Sequence, residues 1–382
     1  MARPAHILLC GYYGHRNAGD EIVLAGILGG IASEADGRRY EVRAISGSPE
    51  DTLDVHGLRS WRQFSPAGVT SALAWADCLV LGGGSLIQDA TSRRSALYYL
   101  WLTRMAQALG RPVFVWAQGF GPLTDPGLRR LAARVLSRAG GVTVRDARSL
   151  EDLQDLGVRG AVLTADPAFL APPAEHVGEG ILPAHGGAAV LGVAVRDWPG
   201  ADAGLAAVGQ ACAQFARERS SVPLYIPFQH PNDVDVSSRL AAACEPPAAV
   251  LRQRISPGEM VRLFGELDQA VGMRLHSLVL AARAGVPFAG VSYDPKVRAF
   301  CDRAGMPCAA VEDISPEKLA GILLEQSGRR EEISAGLRRF AGQQKQEIGE
   351  FVGECPLPTR HSRPKDRAGD QPRQERTEDD TQ

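Results

Sequence analysis

Short apolar runs alternate with longer stretches of helical period from one end of the chain to the other. In the first half, residues 6–10, 41–46, 78–83, 112–118, 141–146 and 161–166 read as strands. After a break come 189–196, 223–228, 269–273 and 288–293. Most of these runs are continuously apolar, the sign of strands covered on both faces. Helical patterns separate them, so parallel sheets with crossover helices are expected. Ser256-Pro257-Gly258-Glu259 reads as a capping box with proline in the first turn, and Ser315-Pro316 starts another helix.

The stretch 171–187 is rich in proline and glycine and has no period, which marks a boundary between two strand series. The expected layout is one α/β domain over 1–172, a linker over 173–188 and a second α/β domain over 189–352. Residues 353–382 are polar, mixed in charge and nearly free of aliphatics, and are expected to be a disordered tail.

Composition narrows the function classes. With 382 residues, 45% hydrophobic and 23% charged, the chain has core enough for two domains. A formal net charge of −2 gives no basic excess for nucleic acid. The seven cysteines form no CxxC pair and sit mostly in apolar runs, so reduced thiols and a cytoplasmic setting are expected. The N-terminal stretch is too soon broken by glycine to be a signal peptide. No apolar run is long enough to span a bilayer, and no basic amphipathic helix stands out.

In open α/β sheets, ligands bind beyond the carboxyl ends of the strands, and here those ends are polar. The first strand leads into "GYYGHRNAGDE", where Asn17 and Asp20 either brace the loop and cap the helix or bind hydroxyls. "LGGGSLIQD" places Gly83, Gly84, Ser85 and Gln88 after a buried strand. Three consecutive glycines imply that something approaches the backbone closely. Gln118 and Arg145 end two further strands; a planar guanidinium suits a carboxylate or phosphate. In the second half, Arg196, Gln229, His230, Arg274, His276 and Lys296 occupy equivalent ends. No metal-binding motif and no nucleophile elbow is present.

Several segments standing in order resemble the polysaccharide pyruvyl transferase family, most closely its CsaB type. They are "GYYGHRNAGDE", "LGGGSLIQDATS", "AQGFGPL", "VTVRDARSLEDLQDLGV", "TADPAF", "IPFQHPND", "MRLHSLVLAARAGVP" and "SYDPKV", spread over residues 7 to 300. His15-Arg16 departs from the family pattern, which commonly has an aromatic residue and then Asn. The resemblance implies two Rossmann-like domains facing a central cleft, as in GT-B glycosyltransferases, with the acceptor on the N-terminal side and the donor on the C-terminal side. It implies transfer of a pyruvyl group from phosphoenolpyruvate to two hydroxyls of a sugar as a cyclic ketal. The sugar would be a β-linked N-acetylmannosamine on a lipid-linked wall-polymer precursor, which would bring the enzyme to the inner membrane face. Arg145, His276 and Lys296 would form the donor site, with Ser277 and Arg196 beside them. Asn17, Asp20, Gly83, Gly84, Ser85, Gln88 and Gln118 would face the acceptor.

The residues suit that chemistry. A donor carrying both carboxylate and phosphate needs fixed cations and helix-terminal amides, which Arg145, Lys296 and the helix near Ser277 can supply. Proton movement falls to His276, and no metal or redox cofactor is required by this route. Arg274 is expected to be structural or to support the site from behind the residues that touch the ligand. Two other readings compete: a glycosyltransferase using a nucleotide-sugar donor on the same architecture, and a non-catalytic sugar-binding protein.

Overall fold

The computed structural model describes residues 4–33, 40–90, 92–184 and 186–354, with the side chains of 350–354 excepted. The first sheet contains β1 (Ala5–Cys10), β2 (Tyr40–Ser46), β3 (Ser60–Arg62), β4 (Cys78–Gly82), β5 (Val113–Gln118), β6 (Gly141–Val144) and β7 (Ala161–Leu163). Its order is β3-β2-β1-β4-β5-β6-β7. The second sheet contains β8 (Val190–Ala194), β9 (Val222–Tyr225), β10 (Ala249–Val250), β11 (Gln269–Gly272), β12 (Phe288–Ser292) and β13 (Cys308–Ala310), in the order β10-β9-β8-β11-β12-β13. Every neighbouring pair is parallel.

The continuous apolar runs are explained by burial on both faces. β4, β5, β8 and β12 are buried at every position, and helices cover both sides of each sheet. Each sequence-predicted strand falls on an observed one. The strands that the pattern missed, β3, β10 and β13, are edge strands of two or three residues, too short to show a period. Expected strand ends ran long, since β6 stops at Val144 and β7 at Leu163. Arg145 and Asp146 therefore leave the sheet, and Asp146 caps the helix Ala147–Asp155 through Ser149 N.

One apolar cluster runs between the two sheets. The helices Ala18–Ser33 and Leu275–Ala284, the 3-10 turn Pro167–Leu170 and the last helix, Arg330–Glu354, all contribute to it. Separate clusters line the outer face of each sheet. No helix or strand occurs over 173–184 or 186–188, and His185 lies outside the described residues. The tail expected from 353 lies, from residue 355 on, outside them too; Gly353 and Glu354 end the last helix.

Both sheets reverse their strand order at the centre, between β1 and β4 and between β8 and β11. Loops after such neighbouring strands diverge to opposite faces and open a crevice. The two crevices meet. Phe228 O accepts from Ala18 N at 2.7 Å, Gln229 Nε2 donates to His15 O at 3.0 Å, and Asn17 bridges Gln229.

Candidate active site

The cleft between the sheets encloses about 790 Å³. Asn17, Asp20, Gly84, Ser85 and Gln88 face it from the N-terminal half. Arg145 lines it as well, and Arg196, His276 and Lys296 close it from the C-terminal half.

At the floor, Arg145 is buried and its Nη1 donates to Asp166 Oδ2 at 2.6 Å. Burial opposes charge on Asp166, yet Arg145 and His276 hold its carboxyl well below the usual carboxylate range. His276 Nε2 lies 3.5 Å from the same Oδ2 and 3.4 Å from Arg145 Nη1. A protonated ring can pair with Asp166, and a neutral ring can accept from Arg145. His276 stands in the first turn of its helix, and it reaches the floor because Gly19 faces it. A Cβ on Gly19 would stand 2.2 Å from His276 Nδ1, so a side chain there would displace the ring. Asp166 was missed as a site residue, although it stands in the quoted "TADPAF" segment. Its position after an edge strand gave no hint of the partner contributed by a loop 21 residues earlier.

Above the floor, two cations from opposite halves share one hydroxyl. Arg145 Nη2 donates to Ser85 Oγ at 3.3 Å, and Lys296 Nζ donates to the same oxygen at 3.0 Å. Burial, and then the neighbouring Arg145, push the Lys296 ammonium below its ordinary pKa. Arg196 lies over the packed rings of Trp198 and Tyr293 and donates to Tyr293 Oη at 2.9 Å. Its buried Nε has no hydrogen-bond partner among the described residues. Such a set is suited to an anion with several oxygens.

Asp20 is part-buried at the opposite wall. Desolvation raises its pKa to about 6, against the pull of His276 and Arg145. Asn17 also lines the cleft, but its Oδ1 accepts from Gly19 N at 3.0 Å, so it caps the helix. Glu21 ties the preceding loop by accepting from Gly14 N at 2.8 Å and His56 Nε2 at 2.9 Å.

Three expected positions do not present their side chains to the cleft. Gln118 is buried beneath the glycine loop, donating to Gly83 O and accepting from Leu86 N at 3.2 Å. It shapes that loop and has no free end for an acceptor. Gly83 is outside the cleft because the helix Ala18–Ser33 is what approaches it. A Cβ there would lie 1.9 Å from Val23 Cγ1, and its φ of +63° also favours glycine. Only Gly84, the third glycine, opens to the cavity. Ser277 is buried and donates to Arg274 O at 2.6 Å, locking its own helix turn. Arg274 lines the cleft but forks onto Asp233, whose Oδ2 also accepts from Phe228 N and Gln229 N. It fixes the "IPFQHPND" loop. His15 lies on the cleft rim, stacked on Tyr12 and bonded to Gln63, whereas Arg16 turns away beside His230.

Among the described residues, no three His, Cys, Asp or Glu side chains converge where a metal ion could be held, and no helix is long and apolar enough to cross a membrane.

Comparison with known proteins places this geometry in context. No curated protein matches the chain. Among solved structures it is similar to Staphylococcus aureus MnaA with UDP (TM-score 0.64, 9% identity, covering 92% of this chain and 94% of that one). It is similar also to Neisseria meningitidis UDP-GlcNAc 2-epimerase bound to UDP-GlcNAc (0.61, 11%, 91% and 98%). Anabaena HepE in complex with UDP-glucose gives 0.60 at 14% identity, covering 91% and 98%. These likenesses establish the fold, two Rossmann-like domains of GT-B type. The sequence pattern of polysaccharide pyruvyl transferases matches residues 17–295, which include Asp20, Ser85, Arg145, Asp166 and His276. The chain belongs to the polysaccharide pyruvyl transferase family.

Proposed function

We propose that the protein moves a pyruvyl group from phosphoenolpyruvate to two hydroxyls of a sugar, giving a cyclic ketal and phosphate. The observation that carries this reading is the convergence of Arg145 and Lys296, one from each side of the cleft, on Ser85 Oγ. A small donor with a carboxylate and a phosphate can replace that hydroxyl as the shared acceptor. Arg196, with its unpartnered buried Nε, offers a third donor. The helices starting at Leu275 and Pro295 direct amides to the same region.

In this reading the methylene carbon of the donor gains a proton, and the central carbon becomes oxocarbenium-like. One sugar hydroxyl attacks that carbon, the carbon–oxygen bond to phosphate breaks, and the second hydroxyl closes the ring. Of the two hydroxyl protons, one balances the new methyl group and one leaves with phosphate. His276 is the proton carrier, set against the Arg145–Asp166 pair. Asp20, with its pKa of about 6, faces the acceptor and receives a hydroxyl proton. The acceptor proposed is a β-linked N-acetylmannosamine on a lipid-linked wall-polymer precursor, in keeping with the CsaB-type resemblance.

Ligand-dependent thermal stabilisation tests the donor. Phosphoenolpyruvate is expected to raise Tm while uridine and guanosine nucleotides leave it unchanged. The reverse pattern would replace pyruvyl transfer with a nucleotide-sugar glycosyltransferase.

A further inference from the structure

Phe64, Leu97 and Trp101 are among the most exposed large apolar side chains described, at 72%, 45% and 46%. Single exposed apolar residues are ordinary; a contiguous group beside a ligand cleft is not. Leu97 and Trp101 are four apart on the helix Arg93–Ala108, one turn from each other on its outer face. Phe64 packs edge-on against Tyr98 of the same helix, with ring centroids 5.3 Å apart. Phe64 and Tyr98 also line the mouth of the cleft, so the apolar stripe runs from helix to opening.

Charge singles out what this face fits. The helix carries Arg93, Arg94 and Arg104 and no acidic residue. The helix Pro126–Leu136, joined to it by Gln107 Nε2 on Val135 O, carries Arg129, Arg130 and Arg134 and again no acidic residue. Asp125, at its N-cap, neutralises Arg93 alone. Two adjacent helices thus carry six arginines in a chain whose net charge is −2; Arg93 is paired with Asp125 and Arg129 donates to Leu123 O, which leaves Arg94, Arg104, Arg130 and Arg134 on the exposed side.

We propose that the Phe64–Leu97–Trp101 face seats on an anionic lipid bilayer, with the cleft mouth turned to the surface. Tryptophan and phenylalanine suit the headgroup–acyl boundary, and the flanking arginines suit anionic headgroups. The orientation rests on the lipid-linked acceptor proposed above, and it would let such a substrate enter the cleft without leaving the membrane.

Vesicle co-sedimentation tests the surface. The full chain is expected to pellet with phosphatidylglycerol-containing vesicles, less so at high salt, and to stay in solution with pure phosphatidylcholine. The Leu97→Ser/Trp101→Ser variant is expected to bind about tenfold more weakly or worse, with Tm unchanged. Its phosphate release on a short water-soluble acceptor should equal that of the unaltered chain. Arg104→Glu, which touches only the charge, should give a smaller loss in the same direction. The proposal is overturned if the unaltered chain ignores both vesicle types, or if the double variant binds as well. A dimer in sedimentation velocity that the double variant dissolves would overturn it as well, assigning the face to a second copy. Vesicle binding without phosphate release on any acceptor would remove the transferase reading and leave this surface standing.

Discussion

Lys296 Nζ donates to Ser85 Oγ at 3.0 Å across the cleft, linking a cation on a helix of the C-terminal half to the glycine loop of the N-terminal half. The contact is a hydroxyl answering a charge, which an incoming phosphate can displace. Lys296→Met is expected to raise KM for phosphoenolpyruvate by about 10- to 100-fold, the worth of one charged hydrogen bond. Steady-state kinetics checks this, and an unchanged KM would place the donor elsewhere.

The same displacement should move protons. Burial and Arg145 depress the Lys296 pKa in the empty site, and a bound dianion draws it back up. Donor binding at alkaline pH is therefore expected to take up protons. Titration calorimetry in two buffers of different ionisation enthalpy reads that uptake directly.

Asp166 orients both Arg145 and His276 while keeping its charge in a buried place. Asp166→Asn leaves a buried guanidinium without its counter-charge, and is expected to destabilise by about 3–5 kcal/mol. Activity should fall with it, by about 10²-fold or more at temperatures where the fold persists. Because the folded-state pKa is lowered, the stability from Asp166 is present above the unfolded value of about 4 and lost as pH falls below it. Acid unfolding of the variant should accordingly be less steep.

Asp20 has the opposite sign. Its folded pKa of about 6 lies above the unfolded value, so stability declines as pH rises from about 4 to about 6 and is flat beyond. The full penalty would be about 3 kcal/mol, less for a side chain partly open to solvent. Asp20→Asn should remove that decline and raise Tm at neutral pH, while lowering kcat because an amide cannot take the hydroxyl proton. Tm measured against pH decides it.

Arg274 forks onto Asp233 and thereby holds the loop that joins the two halves. Arg274→Lys cannot keep both contacts, and is expected to lower Tm and reduce activity without altering the pH profile. A shifted profile would mean that Arg274 touches the reacting groups.

The sheets were legible because their strands are buried on both faces and leave unbroken apolar runs, as in β4 and β12. β3, β10 and β13 were not, since two or three edge residues carry no pattern. The cleft side of Arg145, His276 and Lys296 followed from the strand-end rule. What one residue type could not disclose was competition for its hydrogen bonds. Gln118 ends a strand and Ser277 stands in the first turn of a helix, yet both are consumed by backbone groups a few ångströms away. Likewise the glycine triplet signalled a close approach, but the approaching groups at Gly82 and Gly83 are Ile27, Tyr13 and Val23. Asp166 needed the third dimension, because its partners come from β6's end and from the other sheet.

The most direct test of the account is one incubation, with phosphoenolpyruvate and an N-acetylmannosamine-containing acceptor, followed by phosphate release and product mass for the unaltered chain and for His276→Ala. The unaltered chain should release one phosphate for each acceptor that gains a pyruvate ketal. His276→Ala should lose that activity by orders of magnitude while unfolding at the same temperature. Phosphate release without a pyruvylated product, or equal activity in His276→Ala, would contradict it.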